Sequence, residues 1–205
     1  MRRYLPWGML ASSASRHGSG PMSVSTIDMV TPRQEPLRMR YREKPEQAQI
    51  ADHARAANID RDPFHGAVVA GDGEVLLDFG IHRAIGGDHD LQNPGDMLCA
   101  ALAACLDSTL RMIAVRMGIA LKTLAVEVRA FADVRGCLVV DRQVPVGFQR
   151  IDVDVLIEAE GNTDPAQISR LTSAAERCCV VLQTLRSDIA VDTRFRGPAA
   201  IASAD

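Results

Sequence analysis

Residues 94–117 limit most strictly what this chain can fold into. Asn93-Pro94-Gly95-Asp96-Met97-Leu98 leads into an alanine- and leucine-rich run through Cys99 and Cys105, and Gly118 closes it. Proline suits the first helical position and glycine the position just past the last, so the segment is a long helix with both ends marked. A helix this apolar has to be covered by other elements. A second helix follows the cap Asn162-Thr163-Asp164-Pro165, with Ile168, Leu171, Ala175 and Cys178/Cys179 on one stripe.

The covering layers are legible as alternation. Leu124, Val126 and Val128 in 121–134, and Ile151, Val153, Val155 and Ile157 in 148–158, alternate with polar and charged residues as half-buried antiparallel strands do. Segments 64–69 and 74–79 form a hairpin about Gly71-Asp72-Gly73, and 189–195 reads as a last strand. Residues 45–57 carry a short surface helix entered through Pro45. Strands, helix, strands, helix and strand in that order make an α+β fold. The hairpin precedes the long helix and the other strands follow it, so one small curved sheet covers that helix poorly, and a homodimer is expected.

The chain has 205 residues, 47% of them hydrophobic, enough for one domain with a real core. Residues 1–39 read as a flexible basic extension, 40–196 as the domain and 197–205 as a tail. Seven arginines lie in 1–42 against Asp28 and Glu35, and the stretch 12–25 is rich in Ser and Gly. Arg2-Arg3 is followed by no apolar run of secretory length, and no eighteen consecutive apolar residues occur, so no membrane span is expected. The net charge of −3 argues against nucleic acid as a partner. Five cysteines at irregular positions, without metal-ligand spacing, indicate a reducing compartment, here the cytoplasm. Asp88-His89-Asp90 with His82 reads as a solvated acidic loop rather than a metal site, His53 and His65 as surface or strand residues, and Ser108-Thr109 lacks the partners of a serine hydrolase.

The cysteines carry the functional suspicion. A thiol that reduces peroxide needs to be ionised, needs a donor or positive charge to hold it so, and needs a second thiol to collapse its sulfenic acid. Cys105 lies beyond the first turn of its helix, out of reach of the helix dipole. Arg83, in the preceding glycine-rich loop, is the candidate counter-charge, and Asp96 is placed to orient it or accept a proton. Cys99 is on another face and Cys137, beside Gly136, belongs to a strand; both read as inert.

Residues 64–195 resemble the OsmC/Ohr superfamily of osmotically inducible and organic-hydroperoxide-resistance proteins. The likeness rests on Asn93-Pro94 with a cysteine ten residues after Gly95, on Cys179-Val180-Val181-Leu182-Gln183-Thr184-Leu185, similar to a Cys-Pro-Val-x-x-Thr-Leu motif, and on Gly147-Phe148. It implies a thiol peroxidase with Cys105 peroxidatic and Cys179 resolving. It further implies an organic hydroperoxide as substrate, a dithiol as reductant, an intertwined homodimer, and no metal, flavin or haem cofactor. The chain departs from the pattern at Gly95, where the family has glutamate, at Val180, where it has proline, and at Arg83, which aligns only across an insertion. A non-catalytic dimer that binds a small ligand, or a redox sensor, is the alternative implied by the same fold.

Overall fold

A computed structural model describes residues 24–56 and 62–195. Helix α1 (Val24–Glu43) is followed by a 3-10 turn (Pro45–Ala48) and strands β1 (Ala54–Ala56), β2 (His65–Ala70) and β3 (Val75–Gly80). A second 3-10 turn (Arg83–Ile85) leads to α2 (Pro94–Arg116), β4 (Leu121–Phe131), β5 (Arg150–Ala159), α3 (Pro165–Cys178) and α4 (Val180–Leu185). The α+β class and its antiparallel pairing follow the sequence expectation.

The long helix begins where Asn93 predicts. Asn93 Oδ1 accepts from the Gly95 and Asp96 amides at 2.8 and 3.2 Å, and Asp96 Oδ2 accepts from the Asn93 amide at 3.0 Å, a reciprocal cap. Gly118, at φ 68°, lets the chain leave the helix. Leu102, Leu106, Leu110 and Ala114 line one face of α2 and meet Leu171 and Ala175 of α3, Cys179, and Leu182 of α4. Leu124, Val126, Val128, Ile151, Val153 and Ile157 of the β4–β5 ribbon pack on the same core. An 18-residue window of α2 has mean hydropathy 1.7, so by length and composition it could cross a bilayer. The sequence criterion of unbroken apolar residues missed this because Asp107 and Ser108 interrupt the run. Here the helix is the core element of an α+β fold.

Several expectations need correction. Residues 24–39 of the expected flexible extension are helical, and α1 runs across the 39/40 boundary. Pro32 and Pro36 hid that helix from the sequence. Gln34 fastens it to α2, donating to Met112 Sδ at 3.4 Å and accepting from Arg116 at 3.1 Å. Most of the stretch 12–25 lies outside the described residues. The helix expected over 45–57 is a single 3-10 turn followed by β1, which pairs with β2 in the register Ala54↔Ala70. Cys137 sits exposed in the turns between β4 and β5, not in a strand. Residues 189–195 form no strand, because their apolar alternation meets no ladder partner among the described residues.

His65 is more than a strand residue. Its Nδ1 lies 2.6 Å from Asp62 and its Nε2 3.1 Å from Asp90, so β2 is tied to the loop before α2. Hydrogen bonds to Asp62 and then to Asp90 raise the imidazole to about 9, while both carboxylates are held below their usual value. Because the histidine value rises on folding, its contribution is complete below about 6.5 and is lost as pH climbs through about 9. The depressed carboxylates keep the bridge in mild acid and release it only as pH falls through their folded values. In an NMR titration the His65 imidazole should turn over near pH 9, and Asp90→Asn should move the midpoint down. A wild-type midpoint near 6.5 would contradict the bridge.

Candidate active site

The chain breaks between α3 and α4 at Cys179, whose backbone is extended (φ −74°, ψ 107°). The Cys179 amide still closes α3 by donating to Ala175 at 2.9 Å, and its carbonyl starts α4 by accepting from Gln183 at 2.9 Å. Gln183 Nε2 donates to the Glu176 carbonyl at 2.7 Å, and Arg186 pairs with Glu176 at 3.1 Å, so the two helices are clamped across the break. This places the fully buried Cys179 against the half-buried Cys105 of α2. Each thiol shifts the titration of the other. Cys178, next to the break, is exposed.

The Cys105 thiol is held below its ordinary value. Burial pushes its pKa up, and this is outweighed by the Val181 amide, the Cys179 thiol, the Val180 amide and the Thr109 hydroxyl, so the thiol falls below its ordinary value. For Cys179 the balance is opposite. Burial raises it, the Leu182 and Val181 amides offset part of that, and hydrogen bonding to an ionised Cys105 raises it further. The pair is therefore asymmetric, with Cys105 the more acidic thiol and Cys179 the less acidic, the order a nucleophile and its resolving partner require.

The other two expected residues are not brought to the sulfurs. Arg83 is exposed in the turn ahead of α2 and is not among the groups that lower Cys105. A positive side chain is what a sequence pattern can show, whereas the groups that lower Cys105 are two backbone N–H groups, a thiol and a hydroxyl. Asp96 serves the α2 cap, nine residues and about 13 Å along the helix from Cys105. Thr109 was missed as a site residue. Its signal was available, since it stands four positions after Cys105 on the same helix face.

Cys99 faces a different region. Burial raises its pKa despite a bond from the Ala130 backbone, so it is a protonated thiol. It lines a cavity of about 570 Å³ between the first half of α2 and β4, with Phe131, Phe148, His82 and His89. A smaller cavity of about 240 Å³ lies beside Leu106, Leu110, Val153 and Leu182. Among the described residues no three His, Cys, Asp or Glu side chains gather as a metal site would require.

A family model described as OsmC-like protein matches residues 87–194. Among solved structures, an organic hydroperoxide resistance protein OsmC from Legionella pneumophila is 22% identical, covering 68% of this chain and 91% of that one, with TM-score 0.50. An OsmC-like protein of unknown function from Vibrio cholerae is 10% identical over 66% of this chain and 94% of that one, with TM-score 0.55. An OsmC-like protein from Mycoplasma pneumoniae is 15% identical over 68% of this chain and 90% of that one, also with TM-score 0.55. No curated protein matches significantly. At these identities the solved structures speak for the fold alone.

Proposed function

The chain belongs to the OsmC-like protein family, and from that premise we propose that it is a thiol peroxidase reducing organic hydroperoxides through Cys105 and Cys179. The Cys105 and Cys179 thiols, packed in one core and shifted in opposite directions, carry this reading. The Cys105 thiolate attacks the terminal peroxide oxygen, the O–O bond breaks, and the alkoxide takes a proton to leave as alcohol. Cys105 is then a sulfenic acid. The Cys179 thiol attacks its sulfur, expelling water and forming the disulfide, which an external dithiol reduces with two electrons and two protons. The cysteines themselves undergo the redox change, so the cycle needs no metal or organic cofactor. All five cysteines are free, which suits a reducing compartment such as the cytoplasm. The assay is loss of cumene hydroperoxide under excess dithiothreitol. Protein that consumes none and gains no Cys105–Cys179 disulfide would overturn the proposal in favour of a binding or structural role.

The working unit is a homodimer on this reading. Among the described residues the β1–β2–β3 sheet has no extended contact with a helix, and Val75 and Leu76 on it are 56% and 61% exposed. Val180, beside the thiol pair, is 71% exposed, and the apolar Ile189, Val191 and Phe195 stand open in an extended segment. That much uncovered apolar surface fits a second copy closing over the sheet and the site. Sedimentation equilibrium at micromolar concentration should give about twice 22.2 kDa; a stable monomer would refute the dimer.

A further inference from the structure

Two cysteines stand side by side at the end of α3, and the fold separates them. Cys179 is 0% exposed in the core, whereas Cys178 is exposed. Helical phase alone puts Cys178 inside. It is the last residue of α3, three positions after Ala175 and seven after Leu171, so it falls within about 20° of Leu171 on the stripe that packs against α2. Cys178 is therefore a core-side residue at the point where the core runs out. It stands at the rim, with Cys179 one residue inward and Cys105 packed on the same core. Glu176 and Arg177 beside it are exposed as well, so this end of α3 meets water.

The placement bears on how a Cys105–Cys179 disulfide is reduced. A thiol breaks a disulfide by attacking one of its two sulfurs, and the rate depends on access to that sulfur and on the acidity of the thiol expelled. Attack on the half-buried Cys105 expels Cys179, the less acidic thiol and the poorer leaving group. Attack on Cys179 expels Cys105, the better one. An external reductant has no surface of Cys179 to reach. A thiol on the adjoining residue, at the rim, needs none.

We propose that Cys178 is a third redox residue, an outer thiol that takes the disulfide over from the Cys105–Cys179 pair and presents it to the reductant at the surface. The proposal rests on the pairing of Cys105 with Cys179 in the peroxidase reading. Cys178 loses its proton to water and attacks the Cys179 sulfur; the Cys105–Cys179 bond breaks, Cys105 leaves as thiolate, and a Cys178–Cys179 disulfide forms. A thiolate of the external dithiol then attacks the exposed Cys178 sulfur, and Cys179 leaves and takes up a proton. The second thiol of the reductant attacks its own sulfur in this mixed disulfide and releases Cys178. Two electrons have passed from the dithiol to the chain, and all three cysteines are thiols again. Neighbouring residues suit a transient of this kind. Their Cα atoms are about 3.8 Å apart across a trans peptide, short of the about 4.4 to 6.8 Å of relaxed disulfides, and strained disulfides are the easily reduced ones. The outer disulfide stays a minor species and is drained as it forms.

The test follows the reductive half of the cycle by itself. Protein is oxidised with diamide, freed of the oxidant and mixed with dithiothreitol, and the disulfide remaining is read by intact mass after quenching with iodoacetamide. Cys178→Ser should lose its disulfide about tenfold more slowly than the wild type. Cys137→Ser, which removes the other exposed thiol, should keep the wild-type rate. In Cys105→Ser, diamide should leave the tryptic peptide Cys178–Arg186, which holds both cysteines, two hydrogens lighter and joined to no other peptide. Reduction of Cys178→Ser at the wild-type rate would overturn the proposal. So would an unoxidised 178–186 peptide in Cys105→Ser, or a Cys105–Cys178 crosslink in the oxidised wild type. Diamide replaces peroxide here, so a slow Cys178→Ser in a protein that consumes no hydroperoxide would uphold the outer thiol and reject the peroxidase. Hydroperoxide turnover beside an unslowed Cys178→Ser would do the reverse, and a wild type that forms no Cys105–Cys179 disulfide would overturn both.

Discussion

Cys105→Ser should reduce hydroperoxide consumption to background, whereas Cys179→Ser should complete one oxidation and stop with a sulfenic acid on Cys105 that dimedone traps. The difference follows from what each sulfur touches. Cys105, half-buried on α2, is the more acidic thiol. Cys179 is fully buried, and burial raises its thiol. A serine at 105 has no accessible anion near neutral pH and no polarisable sulfur for the peroxide oxygen. A serine at 179 leaves the Cys105 sulfur in place, so the first step survives, and only the disulfide is lost. Monothiol recycling of the sulfenic acid would then restore slow turnover in Cys179→Ser. Equal loss in the two variants, with no trappable sulfenate in either, would refute the division of labour.

What was legible in the sequence was whatever depends on side-chain pattern. The start of α2 was visible because Asn93, Pro94 and Asp96 are capping residues, and β4 and β5 were visible because one face of each is apolar. The Cys105 and Cys179 positions could be nominated because a spacing and a motif marked them. What stayed hidden belongs to the backbone or to tertiary contact. Helix α1 carries two prolines and is secured through Gln34 to residues 78 and 82 positions away. Residues 189–195 have the alternation of a strand, yet alternation cannot supply the neighbouring strand. The Val180 amide could not be seen at all, because every residue except proline has the same N–H. The arginine at 83 was selected for the same reason, being the only kind of donor a side-chain reading could count.

Leu171→Ala should cost about 3 kcal/mol of stability, and it should also separate the two redox steps. Leu171 is 0% exposed, and with Ala175 it packs α3 against the Leu102, Leu106 and Leu110 face of α2. Full burial means that both the transfer and the cavity contributions apply. By comparison Asp164→Ala, which removes the bond to the Ala166 amide at the start of α3, should cost about 1 kcal/mol. Leu171 holds the helix that delivers Cys179, whereas Cys105 stands on α2 with Thr109, outside α3. Loosening α3 should therefore slow the sulfenate-to-disulfide step more than the attack on peroxide. Urea denaturation at fixed protomer concentration gives the stability difference, and stopped-flow oxidation with intact mass gives the two rates. A loss below about 1 kcal/mol would mean that the α2–α3 contact is not the core. A disulfide step as fast as in the wild type, beside a full loss of stability, would mean that α4 alone, clamped through Gln183 and Arg186, fixes the position of Cys179.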